Sequence, residues 1–215
     1  MTPGYFLAIA GNIGAGKTEL TTRLSQELGW LAYYEPVIQN PYLDPFYADM
    51  PRWSFHLQIY FLSERYKAQV EISKSSLPFI QDRTIYEDAE IFARTLREQG
   101  SMTEVDYQNY SALFEVLTSH LRPPDLIVYL QARPATLMER IARRGRPSEQ
   151  GIGIDYIQRL NLAYDGWMER ARVNHEVLTI DTDAVALQGD SPAFRSLVDD
   201  LKQRYPRQAE LDLPG

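Results

Sequence analysis

The first apolar run of the chain, Tyr5–Ala10, is short and unbroken. A glycine-rich stretch, Gly11–Gly16, follows, and then leucines at 20, 24 and 28. The run reads as a buried strand, and leucines at i, i+4 and i+8 mark one face of a helix. Gly29 is placed to stop that helix. The same alternation continues along the chain. Strands are predicted over Trp30–Tyr34, Leu77–Gln81, Leu126–Leu130 and Val177–Ile180. Helices are predicted over Trp53–Lys74 (capped early by Ser54), Ile85–Gln99, Thr103–Leu121, Tyr156–Val173 and Ala193–Tyr205. A further helix opens at Pro134, since proline is tolerated in a first turn. Asn40–Pro51, with three prolines and many aromatics, reads as loop, and polar Arg143–Gly153 as a mobile loop. Strands alternating with helices predict an α/β fold, a five-stranded parallel sheet covered on both faces. No repeat, low-complexity tract or linker divides residues 1–215, so one domain is expected.

Composition narrows the classes of function. With 44% hydrophobic and 24% charged residues, the chain has the make-up of an ordinary folded protein. Cysteine is absent, which excludes disulfide scaffolds, thiolate metal sites and thiol catalysis, and fits a cytoplasmic location. The net charge of −7, from 22 basic and 29 acidic side chains, repels the phosphates of polymeric nucleic acid. The opening residues lack the basic segment of a signal peptide, and no apolar run has the length of a membrane span.

Gly11, Asn12, Ile13, Gly14, Ala15, Gly16, Lys17 and Thr18 match G-x-x-x-x-G-K-[ST] between a strand and a helix. Glycines at this spacing let successive backbone N–H groups turn inward around phosphate oxygens. The following helix presents its positive end to the same anion. Lys17 can reach the β- and γ-phosphates and the Thr18 hydroxyl can bind Mg²⁺, so a nucleoside-triphosphate site is expected. The guanine-reading N-K-x-D of regulatory GTPases is absent.

In open α/β sheets, ligands bind beyond the carboxyl ends of the strands. Glu35 follows the second predicted strand there, and Asp82 and Arg83 follow the third. A carboxylate so placed can accept a proton from an attacking hydroxyl or hold a metal, and Arg83 can add charge at a transferring phosphoryl group. The alternatives are a loop residue and a helix cap. Arg140, Arg143, Arg144 and Arg146 put four arginines into seven residues. Arginines beside Gly145 suit a lid over residues 140–153 that closes on phosphates, or else a solvated basic helix end. Gln58 and Arg65 share a face of the long helix, about 10 Å apart along its axis. An amide that donates and accepts is a reader of base edges, although spacing alone fits a surface pair equally well. His56, His120 and His175 are scattered without ligand spacing.

GNIGAGKT, Glu35-Pro36, WSFHLQIYFLSER (Trp53–Arg65), DRTIYED (Asp82–Asp88) and RRGRPSEQG (Arg143–Gly151) occur in one order. That order resembles the deoxynucleoside kinases, most closely the bacterial deoxyadenosine/deoxyguanosine kinase branch, over roughly Tyr5 to Tyr205. The resemblance implies a P-loop NTPase-like nucleoside kinase fold with an arginine-rich lid. It implies γ-phosphoryl transfer from ATP to the 5′-hydroxyl of a 2′-deoxynucleoside, in a homodimer with no membrane or polymeric nucleic-acid partner. It also assigns roles. Glu35 matches the base acting on the 5′-hydroxyl, and Arg83 its neighbouring arginine. Asp82 with Thr18 matches the Mg²⁺ site, and Gln58 the base reader. Tyr47 and Glu149 match the pair at the sugar 3′-hydroxyl. Arg140, Arg144 and Arg146 match the lid arginines that contact ATP, with Arg144 also counted as catalytic. Arg65 and Asp88 match a charged pair found where purine or cytosine is accepted, which makes thymidine the least expected substrate. Thr84 stands where the family usually has Ser, and Ser148 where an acidic residue is common. Two other readings are a monophosphate kinase of thymidylate-kinase type and a non-catalytic subunit of the same fold. The first needs extra cations for the acceptor phosphate, which Glu35 would repel. The second would be expected to have lost Lys17 or Glu35.

Overall fold

The computed structural model describes residues 4–34 and 40–206. Five strands form one parallel sheet: β1 (Phe6–Gly11), β2 (Leu31–Tyr33), β3 (Phe79–Asp82), β4 (Leu126–Gln131) and β5 (Val177–Asp181). Their order is β2-β3-β1-β4-β5. Every residue of β1 and β3 is buried. Side chains alternate between the faces of a strand, so both faces of the sheet centre must be covered, as parallel crossovers require. β2 and β5, at the edges, are only partly buried.

Among the described residues nine α-helices accompany the sheet: α1 (Lys17–Leu28), α2 (Leu43–Ala48), α3 (Met50–Lys74), α4 (Ile85–Glu87), α5 (Arg94–Glu98), α6 (Glu104–Thr118), α7 (Pro134–Arg144), α8 (Ile154–Ala171) and α9 (Pro192–Arg204). A π turn, Asp88–Ala93, joins α4 to α5, and a 3₁₀ turn, Pro147–Glu149, lies between α7 and α8. The strand and helix limits read from the periodicity fall within a few residues of these, with three corrections.

Asn40–Pro51 is not loop. It holds α2 and the start of α3, because Pro45 and Pro51 occupy first-turn positions where no amide donor is needed. The cap of α3 is Asp49, which accepts from the Arg52 amide at 3.2 Å. Ser54 lies inside the helix and donates back to the Met50 carbonyl at 2.6 Å. Ile85–Gln99 is not one regular helix, since the π turn interrupts it at Asp88. Arg143–Gly153 is not all loop either. Its first two residues finish α7, Gly145 closes that helix in the left-handed conformation (φ 66°), and the 3₁₀ turn follows.

Sheet order sets the position of the site. β1 lies between β3 and β4, the point at which the connections diverge to opposite sides, so a crevice opens at its carboxyl end. Ile9 pairs with Asp82, and Gly11 with Leu130. The glycine loop therefore leaves the sheet between the ends of β3 and β4. Gly14 (φ 83°) packs so tightly on α7 that an added Cβ would lie 2.9 Å from the Leu137 carbonyl oxygen. Gly14→Ala combines that clash with a left-handed backbone. It is expected to cost about 1–3 kcal/mol, seen as a melting point several degrees lower.

Candidate active site

A cavity of about 590 Å³ begins at Ile13–Thr18 and extends between α3, the turn after β3 and the segment joining α7 to α8. Tyr47, Gln58, Arg83, Asp88, Arg140, Arg144, Arg146 and Glu149 all line it. Residues from five separate stretches of sequence thus meet around one space. Glu35 lies outside the described residues.

At the glycine-loop end, Lys17 Nζ donates to the Asn12 carbonyl at 3.0 Å. Asn12 itself does not turn its side chain to the cavity. Its amide donates to the Ile157 carbonyl (3.0 Å) and to Asn161 Oδ1 (2.5 Å), tying the loop to α8. The Thr18 hydroxyl donates to Asp82 Oδ2 at 2.5 Å, while buried Asp82 Oδ1 has no hydrogen-bond partner. A hydroxyl beside a carboxylate with an unsatisfied oxygen is a hard, all-oxygen donor set, which suits a divalent cation that keeps waters and phosphate oxygens. Among the described residues no group of three or more metal-ligating side chains forms a full cage.

Arg83 is the single non-glycine residue with positive φ among those described, at 64°. Such a backbone persists only where its surroundings hold it. Its amide donates to the Ile9 carbonyl (3.1 Å), and its carbonyl accepts from Arg65 Nη1 (3.0 Å). Its guanidinium lies 4.3 Å from the centre of the Phe92 ring. The turn thereby aims a buried cation into the cavity.

The next residues build the end of the cavity beside α3. Thr84 begins α4 with a capping box closed by Glu87. The π turn then starts at Asp88, and such turns are frequent at functional sites because they re-aim side chains. Asp88 pairs with Arg65 Nε. Both are almost fully buried, so the surface-pair reading of Gln58 and Arg65 is wrong. α3 buries Ser54, Leu57, Gln58, Phe61, Leu62, Arg65, Gln69 and Ile72, a helical stripe that includes three long polar side chains. Gln69 is structural, donating to the Arg122 carbonyl at 3.0 Å. Gln58, 2% exposed, lines the cavity with its Oε1 buried and without a hydrogen-bond partner. Phe61 and Phe92 line the same region.

The arginine-rich segment divides by role. Arg144 clasps Glu149 through Nε and Nη2 at 2.6–3.1 Å, and Arg146 reaches the same carboxylate at 3.4 Å. Arg140 instead donates to the hydroxyl and carbonyl of Thr182, after β5, at 2.9 and 2.8 Å. Arg143 also lines the cavity, as do Val185, Leu187 and Gln188. His56 packs among Tyr42, Trp53 and Phe55, away from any ligand set.

Sequence reasoning missed several of these residues. The apolar and polar lining from 182–188 carries no motif. Asn161 gave no signal, because an Asn in a helix has no spacing rule. Glu87 had one, the pattern T-x-x-E at Thr84, which marks a helix start. Glu87 is fully buried, and desolvation is the largest influence on it, pushing its pKa up against the lowering effect of Arg83, Lys17, the Thr84 amide and the Tyr164 hydroxyl.

A P-loop at the centre of a parallel sheet, opening on a cavity with a buried amide and a buried ion pair, defines a nucleotide-dependent phosphotransferase with a small polar acceptor. The deoxynucleoside kinase family model matches residues 7–204, and the chain belongs to that family. It is 39% identical to the deoxyadenosine/deoxycytidine kinase of Bacillus subtilis over 91% of this chain and 90% of that protein. It is 38% identical to the deoxyguanosine kinase of the same organism, over 86% and 89%. Among solved structures, deoxyadenosine kinase from M. mycoides with bound dCTP superposes with a TM-score of 0.81 at 28% identity, covering 92% of this chain and 99% of that one. The protein is therefore an ATP-dependent deoxynucleoside kinase.

Removing one partner of a buried ion pair leaves a charge in a poor solvent. Asp88→Ala is expected to destabilise the fold by about 3–5 kcal/mol. Replacing Arg65 and Asp88 together with apolar residues should cost less, and urea unfolding of both variants measures the difference.

Proposed function

We propose that the preferred acceptor is a purine deoxynucleoside, deoxyadenosine or deoxyguanosine, with deoxycytidine also accepted. The observation that supports this most is the buried Gln58 Oε1, without a hydrogen-bond partner, on a side chain that lines the cavity together with Asp88 of the Arg65–Asp88 pair. A buried polar edge rewards a base that completes its hydrogen bonds and penalises one that cannot. Tyr47 and Glu149 take the sugar 3′-hydroxyl at the other end. Glu35 orients the 5′-hydroxyl and accepts its proton. The transition state of phosphoryl transfer is loose, so positioning dominates and the proton moves late.

Lys17, Arg83 and Arg144 compensate charge on the transferring phosphoryl group. Residues 140–153 act as the lid, with Arg140 and Arg146 on the donor phosphates. Lid closure excludes water and limits wasteful hydrolysis. Thr18 and Asp82 would hold Mg²⁺, which would supply charge neutralisation at the phosphates. Membership of the deoxynucleoside kinase family argues against the monophosphate-kinase and non-catalytic readings.

The reading includes a homodimer in the cytoplasm. α6 buries only Tyr110 and leaves Val105, Leu113 and Val116 exposed along one face, as a helix does when its partner surface lies on another chain. No helix among the described residues is long and apolar enough to cross a membrane.

The four deoxynucleosides and their monophosphates, assayed side by side with Mg-ATP, test the acceptor. Deoxyadenosine or deoxyguanosine should give the highest kcat/KM and thymidine the lowest; a preference for thymidine or for a monophosphate would overturn it. Glu35→Gln should lower kcat by at least about 10² with ATP binding little changed. Full activity in that variant would remove Glu35 from the role of base. Val116→Glu should shift the sedimentation coefficient toward that of a monomer.

A further inference from the structure

Glu87 is fully buried and does not line the cavity, yet it is bonded to three parts of the site. Its Oε2 accepts from the Thr84 amide at 3.0 Å. Its Oε1 accepts from the Gly11 amide at 3.3 Å and from the Tyr164 hydroxyl at 2.8 Å. Helix capping explains only the first of these bonds, and a capping carboxylate does its work at the protein surface equally well. The other two bonds reach 76 and 77 residues along the chain.

Each partner has a place in the machinery. Gly11 is the entry to the P-loop, Thr84 directly follows the strained Arg83 turn, and Tyr164 belongs to α8, which also grips the loop through Asn12. Tyr164 is itself fixed, stacked on Tyr129 of β4 at 5.7 Å with 15° between the rings. Removing a carboxylate from water costs several kcal/mol unless its surroundings compensate. Here the compensation consists of these donors together with the nearby charges of Lys17 and Arg83.

We infer that Glu87 is a positioning residue for phosphoryl transfer, its carboxylate locking the P-loop entry, the Arg83 turn and α8 into one register. Lys17 and Arg83 then present their charges to the phosphoryl group in a fixed relation. This rests on the roles proposed for those two residues. A misplacement of about 1 Å at such a site lowers the rate as much as 10²-fold, so the effect of losing the brace belongs in kcat.

Steady-state kinetics with deoxyadenosine and ATP test the idea. In Glu87→Gln the amide nitrogen must face the Gly11 or the Thr84 N–H, which opposes one donor to another. A kcat lower by about tenfold or more is expected. KM for ATP should stay unchanged or fall, because an anion near Lys17 and Arg83 has been removed. Loss of P-loop order in general would raise that KM instead, and such a rise overturns the inference, as does a kcat within about twofold of the parent. Tyr164→Phe removes one donor only and should lower kcat about threefold, with no further loss when added to Glu87→Gln, since its effect runs through the carboxylate. Additive losses in the double variant count against the brace. Should Glu87→Gln fail to fold, Tyr164→Phe decides: reduced kcat at unchanged KM sustains the inference and full kcat ends it. Lys17→Ala and Arg83→Ala separate the two levels. If they are inactive while Glu87→Gln is active, only the brace is wrong; if they remain active, the reading of the site itself fails.

Discussion

Seven charged side chains around the cavity, Lys17, Arg65, Asp82, Arg83, Glu87, Asp88 and Glu149, are almost withdrawn from water. Taking an ion out of water costs several kcal/mol, and the low-dielectric interior returns that energy only through well-placed opposite charges and hydrogen bonds. The site is built on this constraint. Arg65 meets Asp88, Glu149 meets Arg144 and Arg146, Asp82 meets the Thr18 hydroxyl, and Glu87 meets two amides and a tyrosine. The contacts of Glu149 are local, but those of Arg65 with Asp88, Thr18 with Asp82, and Glu87 with Gly11 and Tyr164 join distant elements.

The irregular backbone around β3 follows from the same constraint. A regular helix after Asp82 would not place Arg83 toward the P-loop and Asp88 toward Arg65 at once. The left-handed Arg83 and the π turn at Asp88 do both within six residues. Their conformational cost is met by bonds from β1 and α3 to the two backbone groups of Arg83. Strands and helices then hold this group of polar side chains around one cavity.

The glycine loop was legible because its signals are local: glycine conformations, a strand before it and a helix after it are all written within Phe6–Leu28. The parallel five-stranded sheet was legible for a related reason, since period and turn residues report elements directly. Asn40–Pro51 was misread because prolines break helices in their interiors but start them at their first turns, and composition does not separate the two cases. The pair Gln58 and Arg65 stayed ambiguous because a polar side chain on a helix is normally exposed. Only the packing of α3 against the π turn shows that their face is the inner one.

The sequence by itself determined the alternation of strands and helices, the glycine loop between β1 and α1 and the residue types at the strand ends. It did so because backbone propensity and side-chain period act over a few neighbouring residues. Tertiary structure decided the rest. It set the order β2-β3-β1-β4-β5, the meeting of Arg65 with Asp88, the tie of Arg140 to Thr182 and the place of Glu87 behind the P-loop. These depend on which distant segments share one low-dielectric space, and no local signal carries that information. Asp82 shows the division within one residue: its position at a strand end was readable, and its unsatisfied oxygen beside Thr18 was not.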